Sequence, residues 1–216
     1  MGRCDNFIGY TYLHLFAAGL LSALSAKMDI VRKAGFNTEK VLTEIFLAIV
    51  ALVLVVIIVS LPAGVLKYIL FAIFVIIIGA NLRSVANRYK ADGILTDVLL
   101  TVSGIFLAMT AVGFYDKQNL LGYEIYLFAA LIGLILGRLG VGVAMVVGAP
   151  EEKITGWNLF FSVLATFVFS LYLAYDTQVL KEMAKECKGQ PDYINGALSL
   201  YLDIVNLFYN VGDLTD

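Results

Sequence analysis

The sequence predicts an all-α integral membrane protein with seven transmembrane helices. Of its 216 residues, 61% are apolar and only 15% are charged. Soluble domains contain about 45–50% apolar and about 25% charged residues. The mean hydropathy is +0.89, and a soluble fold of this length could not bury that much apolar surface. The chain is therefore expected to lie in a lipid bilayer.

A helix needs about 20 mainly apolar residues to cross the hydrocarbon core of a bilayer, and seven segments of the chain approach this length. They cover residues 10–26, 41–61, 65–82, 93–114, 121–148, 157–180 and 193–211. Pro62-Ala63-Gly64 and Gly148-Ala149-Pro150 are turn signals between neighbouring segments. Because all the connections are short, we expect a single polytopic membrane domain over residues 1–216.

Composition also argues against several classes of protein. The net charge is −2, from 15 Lys and Arg against 17 Asp and Glu, which gives no reason to expect a nucleic-acid partner. The only histidine, His14, cannot build a multi-histidine metal centre or serve an intramembrane serine protease site. No cofactor and no enzymatic activity are therefore expected. Cys4 and Cys187 cannot form a zinc cluster, and we expect them on one side of the membrane as free thiols rather than as a disulfide.

Lysine and arginine are distributed unevenly between the two sides of a seven-span arrangement when Arg138 is left out. One side holds Lys27, Arg32, Lys33, Lys40, Arg83, Arg88, Lys90 and Lys153. The other side holds Arg3, Lys67, Lys117, Lys181, Lys185 and Lys188. Since cytoplasmic loops carry the excess of these residues, eight against six favours a cytosolic location for the loops at 27–40 and 83–90.

Three ionisable residues lie inside the predicted spans: Asp176 in the sixth, Asp203 in the middle of the seventh and Arg138 in the fifth. Such a side chain costs at least about 2.5 kcal/mol at the bilayer centre, so each is a functional candidate by default. The last hairpin should turn near residues 189–191, with Asp176 13 residues before Gly189 and Asp203 12 residues after Pro191. At 1.5 Å per residue both carboxyl groups would lie about 18–20 Å from that turn, at the same depth.

Two carboxyl groups in contact within a low dielectric cannot both ionise cheaply, so the pair is expected to share a proton and to titrate as one unit. A shared proton would tie the two helices together, which predicts a pH-sensitive latch. Acid could open this latch by protonating both groups, and alkali could open it by charge repulsion. Carboxylate oxygens also suit a hard cation, so Asp176 and Asp203 are candidate calcium ligands.

Arg138 has two interpretations. It marks either a short fifth span followed by an interfacial segment, or a buried counter-charge for the aspartate pair. Glycines surround it, and Gly133-x-x-x-Gly137 is a small-residue pattern typical of close helix packing.

Two further polar residues are candidates for a latch or a polar path. Asn206 lies on the last segment with Asn210 four residues later, and these amides would either line a path or hydrogen-bond between helices. Glu44 lies near the start of the second segment, where a carboxylate suits the positive end of the helix dipole. An interfacial position is therefore favoured for Glu44 over a role as a ligand.

The last two segments carry two motifs, Leu173-Ala-Tyr-Asp-Thr-Gln178 and Ala197-Leu-Ser-Leu-Tyr-Leu-Asp-Ile-Val-Asn-Leu-Phe208. In these motifs the chain resembles the Bax inhibitor family, the transmembrane Bax-inhibitor-motif proteins, whose members carry both in this order. The first five segments match the family by hydropathy only. The resemblance implies a fold of seven helices in which the last helix is central and surrounded by the others.

The resemblance also implies a function, that of a pH-sensitive calcium leak channel gated by protonation of Asp176 and Asp203, with calcium as the permeant ion and with suppression of cell death. It favours a leak that increases in acid. Bacterial-type members pair the two aspartates with an arginine of the second span, but residues 41–61 contain no arginine or lysine. Arg138 or Arg83 then takes that place, or the pair has no basic partner. A eukaryotic or viral protein of this kind would lie in the endoplasmic reticulum or Golgi membrane. A bacterial one would lie in the plasma membrane.

Two other functions compete with a channel. A membrane scaffold would bind cell-death regulatory membrane proteins or other channels without any flux of its own, and it would keep its function when the aspartates are replaced by asparagine. A proton-coupled transporter would show saturation and substrate competition. The transporter is disfavoured because the two halves of the chain show no matching pair of broken helices.

Overall fold

A computed structural model describes residues 4–28, 41–115, 119–189 and 191–215, with the side chains of 41–45 left outside that description. Within these ranges the chain folds as α-helices without a strand. The helices are Phe7–Met28 (α1), Val41–Ser60 (α2), Val65–Ala91 (α3), Leu95–Tyr115 (α4), Glu124–Val146 (α5), Glu151–Glu186 (α6) and Tyr193–Thr215 (α7). A short 3₁₀ helix, Leu120–Tyr123, precedes α5.

Each of the seven predicted segments corresponds to one helix, and the ends differ where a helix continues beyond its apolar stretch. The helix α3 runs on through polar residues to Ala91, and α6 extends at both ends, from Glu151 to Glu186. Glycines in the left-handed conformation lie in the turns after α3, α5 and α6, at Gly93 (φ 78°), Gly148 (φ 80°) and Gly189 (φ 83°). Glycine adopts this conformation without the steric cost that a Cβ would bring, so it suits the end of a helix.

Five helical segments of the described chain are long and apolar enough to cross a membrane: α1, α3, α4, α5 together with the preceding 3₁₀ turn, and α6. The described apolar part of α2, Phe46–Ser60, is shorter. The helix α7 is not among the five, and it carries Asp203, Asn206, Asn210 and Asp213 within its length. The fold is therefore that of an all-helical membrane protein, while seven complete crossings and a central last helix stay predictions.

The contacts within the chain divide it into two compact units, which are described separately. The first unit comprises Met1–Ala91 with Leu180–Tyr201, and the second comprises Asp92–Val179 with Leu202–Asp216. The helices α6 and α7 each contribute residues to both.

In the first unit, α1 packs closely on α3. The hydroxyl of Ser22 donates to the carbonyl of Val75 over 3.2 Å, and that of Ser25 donates to the carbonyl of Ile76 over 2.8 Å. A Cβ at Gly79 would lie 2.5 Å from the carbonyl oxygen of Ser22, so only glycine allows the two backbones to approach this closely. These contacts fix the two helices side by side.

A disulfide between Cys4 and Cys187 joins the N-terminus to the end of α6 in the first unit, with the two Cα atoms 5.9 Å apart. The expectation of free thiols is therefore wrong. The two cysteines are separated by 183 residues, and tertiary packing brings them together. The rings of Phe7 and Tyr10 lie 5.2 and 5.4 Å from that of Tyr193, which holds the start of α1 against the start of α7.

A buried ion pair lies near the same end of the first unit. Lys67 of α3 is 1% exposed, and its ammonium group donates to the carbonyl of Leu61 over 2.9 Å and pairs with the carboxylate of Asp192. The same carboxylate accepts hydrogen bonds from the backbone N–H groups of Ile194 (3.1 Å) and Asn195 (3.3 Å). Asp192 thus caps α7 at its N-terminus, and Lys67 ties that cap to α3.

In the second unit, α4 and α5 pack against α6 through glycines. A Cβ at Gly113 would lie 2.6 Å from the carbonyl oxygen of Ala174. A Cβ at Gly137 would overlap the ring of Phe161, whereas a Cβ at Gly133 would meet nothing within 4 Å. The Gly133-x-x-x-Gly137 pattern therefore contributes one close contact, at its second glycine.

Candidate functional site

The carboxyl groups of Asp176 on α6 and Asp203 on α7 approach one another within the second unit, close enough to interact through a side-chain hydrogen bond. Asp203 is only 5% exposed, whereas Asp176 is half-buried. The Oδ2 atom of Asp203 has no hydrogen-bond partner among the described residues. A buried carboxyl oxygen without a partner is unusual, so this pair is the first candidate for a functional site.

The residues that flank Asp176 hold its part of α6 in place. The Thr177 side chain is fully buried against Gly113 of α4 and donates to the carbonyl of Leu173 over 2.7 Å. The Oε1 atom of Gln178 accepts a hydrogen bond from the backbone N–H of Leu120 over 2.9 Å. The threonine and glutamine of the Tyr-Asp-Thr-Gln motif thus connect α6 to α4 and to the start of the 3₁₀ turn before α5.

Tyr172 lies one helical turn before Asp176 on α6, so the two side chains share a face of the helix. Its phenol interacts electrostatically with both carboxyl groups. The phenol is therefore close enough to sense the charge on the pair. Tyr172 was not among the site residues expected from the sequence.

A second polar cluster surrounds Arg138, which lies inside the continuous helix α5. Its guanidinium group donates to Oδ1 of Asn210 and to Oγ of Ser162, each over 2.7 Å, and to Oδ1 of Asn158 over 3.5 Å. It lies 3.7 Å from a carboxylate oxygen of Asp213. The cluster therefore joins α5, α6 and α7 of the second unit.

The remaining predicted site residues have different positions. The amide of Asn206 donates to the carbonyl of Leu202 over 2.8 Å. None of the contacts of Arg138 within the described part of the chain goes to Asp176 or Asp203. Among the described residues, the contacts of Arg138 therefore do not make it a direct counter-charge of the pair, and its position relative to the membrane interface stays a prediction.

Two other candidates lie in the first unit. Glu44 lies in α2 at a position whose side chain falls outside the described residues. The guanidinium group of Arg83 donates to the carbonyl of Ala26 over 3.4 Å.

Ser162 and Asp213 were not expected from the sequence, and the hydroxyl of Ser162 donates to the carboxylate of Asp213 over 3.1 Å beside Arg138. The sequence could have identified Asp213, because it follows Asn206 and Asn210 at helical spacing on one face of α7. It could not have identified Ser162, since one serine within an apolar helix is common. Its importance comes only from the neighbours that the fold gives it.

The described residues contain no group of three or more His, Cys, Asp or Glu side chains placed to hold a metal ion. Calcium takes six to eight oxygen ligands in its stable sites, and Asp176 and Asp203 together offer at most four. These two carboxyl groups alone therefore do not complete such a calcium site.

Comparison with known proteins places these observations in a family. The model of the family described as "Inhibitor of apoptosis-promoting Bax1" matches residues 4–214. The chain is 31% identical to the inner membrane protein YbhL of Escherichia coli over 208 residues, which is 93% of this chain and 85% of that protein. It is also 32% identical over 144 residues to an uncharacterized protein of Caulobacter vibrioides, covering 64% of this chain and 54% of that one. With a match over nearly its whole length and both aspartates in the motifs described above, the chain belongs to the Bax inhibitor family of integral membrane proteins.

Proposed function

We propose that this protein is a calcium-permeable leak channel whose gate is the carboxyl pair of Asp176 and Asp203. The observation that carries the proposal is the close approach of these two carboxyl groups on neighbouring helices, one of which is 5% exposed. Ionisable residues at such positions mark ion pathways and proton relays in membrane proteins. Membership of the Bax inhibitor family supports the same assignment.

A hydrogen bond between two carboxyl groups needs at least one proton on the pair. The bonded pair therefore carries at most one negative charge and titrates as a unit. Loss of the shared proton leaves two negative charges in contact within a low dielectric, and these repel each other. Because Asp176 is on α6 and Asp203 is on α7, a change in this bond acts directly on how the two helices pack.

The proposed permeant ion is calcium, because oxygen ligands select hard cations. Beyond Asp203, α7 presents further amide and carboxylate oxygens at Asn206, Asn210 and Asp213. A row of such weak sites lets an ion enter and leave, as conduction requires.

Calcium flux from proteoliposomes tests the proposal. The native chain should release entrapped calcium faster than empty liposomes do, and Asp203→Asn should change that rate because it removes the charge while keeping the size of the side chain. Asp97→Asn, at an exposed position in the first turn of α4, is the matched control and should behave as the native protein does. A native rate equal to that of empty liposomes would refute the channel.

A scaffold without flux is the second candidate, and it is favoured by the family description, which names the inhibition of apoptosis-promoting Bax1. It predicts that native protein and Asp203→Asn protect cells from death equally well and that both capture the same membrane partner by cross-linking. Protection that depends on Asp203 would favour the channel instead.

A further inference from the structure

The α7 helix carries a continuous polar face that begins at the aspartate pair. Asp203, Asn206, Asn210 and Asp213 follow one another at intervals of three, four and three residues, so they lie on one side of the helix. Asp203 is 5% exposed, whereas the side chain of Asp213 is 36% exposed. This face therefore leads from the buried pair to the exposed end of the helix over about 15 Å.

The guanidinium group of Arg138 occupies the exposed end of this face. It is held by an amide oxygen of Asn210 and the hydroxyl oxygen of Ser162, each at 2.7 Å, and it lies 3.7 Å from the carboxylate of Asp213. Amide, hydroxyl and carboxylate oxygens are also the ligands that hard cations take from proteins. The guanidinium group thus contacts the same kinds of oxygen atom that coordinate a hard cation.

We infer that Arg138 acts as a tethered cation that closes the C-terminal end of the α7 polar face to mobile cations. The inference rests on the proposed channel function and names a second closure of the same path, separate from the carboxyl pair. The positive charge of the guanidinium group repels other cations, so this closure is electrostatic and lasts until the side chain moves. The side chain is 34% exposed, and its long stem allows it to swing towards water.

Thiol labelling tests this closure without any need for ion flux. Asn206→Cys places a thiol midway along the polar face, in the full chain with its disulfide intact, and a cationic methanethiosulfonate reagent reports how fast a small cation reaches it. Mass spectrometry of the peptide that contains position 206 separates this reaction from any other. In the Arg138→Gln background the rate should rise about tenfold or more, because removing a like charge from a low-dielectric route raises the local concentration of cations.

Three further variants make the result specific. Arg138→Lys keeps the positive charge and should label at close to the native rate. Arg88→Gln makes the same substitution at an exposed arginine of α3 and should also leave the rate unchanged. Asp213→Asn, at the exposed end of α7, weakens the hold on Arg138, so it should accelerate labelling even if Arg138→Gln fails to fold.

The inference is overturned if neither Arg138→Gln nor Asp213→Asn labels faster than the native background, or if Arg88→Gln gives the same increase. Faster labelling in a protein that shows no calcium flux would refute the channel while supporting the closure. Normal calcium flux together with unchanged labelling would refute the closure alone.

Discussion

Lys67 and Asp203 are both charged residue types that the fold buries, and they are stabilised in different ways. Lys67 is 1% exposed and meets an opposite charge on Asp192. The cost of burying its ammonium group is therefore offset by this ion pair and by the hydrogen bond to the carbonyl of Leu61. Asp203 meets another carboxyl group, that of Asp176. The first arrangement joins opposite charges, whereas the second brings together two groups of the same type. This contrast supports a structural role for Lys67, and the functional role of Asp203 stays a proposal.

Replacing Lys67 by alanine should lower the free energy of unfolding by about 1–3 kcal/mol, because it removes the charged hydrogen-bond partner of Asp192, whose side chain is 24% exposed. Thermal or denaturant unfolding in detergent measures this loss. Lys185→Ala is the control, since Lys185 pairs with Glu182 on the surface and both side chains are exposed; such a pair contributes about 0–1 kcal/mol. Equal effects of the two substitutions would contradict the structural role of Lys67.

At the scale of helices, close packing depends on single glycines whose importance is not visible in the sequence. Gly79 and Gly113 lie where a Cβ would meet the backbone of a neighbouring helix. Gly104 and Gly133 lie in helices too, but a Cβ at either would meet nothing within 4 Å. The same substitution should therefore have opposite effects at the two kinds of site.

Gly79→Ala should destabilise the protein by about 1–3 kcal/mol, because α1 must move away from α3 to admit the methyl group. Gly133→Ala should be neutral or should stabilise by up to about 1 kcal/mol, since alanine favours the helix more than glycine does. Unfolding of both variants in the same detergent compares them directly. A Gly79→Ala protein as stable as Gly133→Ala would show that α1 and α3 are not in close contact.

The helices and the aspartate pair could be predicted because both depend on patterns along the chain. Apolar length predicts the helices, and the distances of Asp176 and Asp203 from one turn predict that they lie level. The disulfide, the cap at Asp192 and the pairing of Ser162 with Asp213 depend instead on which helices become neighbours. Hydropathy carries no information on that order, so these contacts could not be derived from the sequence.

For the whole molecule, the disulfide between Cys4 and Cys187 closes a loop that contains most of the chain. Such a link restricts the unfolded state, and its removal typically costs about 2–5 kcal/mol. A reductant should therefore lower the melting temperature of the native protein and leave that of a Cys4→Ser/Cys187→Ser variant unchanged. Alkylation of both thiols in the native protein before any reduction would contradict the bond.

The disulfide also predicts the orientation of the chain. Disulfides persist on the oxidising side of a membrane, so the side that carries the N-terminus should face away from the cytosol. The distribution of lysine and arginine independently favours a cytosolic location for residues 83–90, at the end of α3. Asn87→Cys, at an exposed position near the end of α3, should thus react with an impermeant maleimide only after cells are permeabilised. Labelling in intact cells would indicate the opposite orientation.

The carboxyl pair is the centre of the proposed mechanism, and the pH dependence of calcium flux tests it most directly. Flux from proteoliposomes should be compared between about pH 6 and 8 for the native chain, Asp176→Asn, Asp203→Asn and the double variant. We expect native flux to change with pH, each single variant to lose that dependence, and the double variant to match the single ones because the pair acts as a unit. Native flux that does not vary with pH, or single variants that keep the native dependence, would contradict the account.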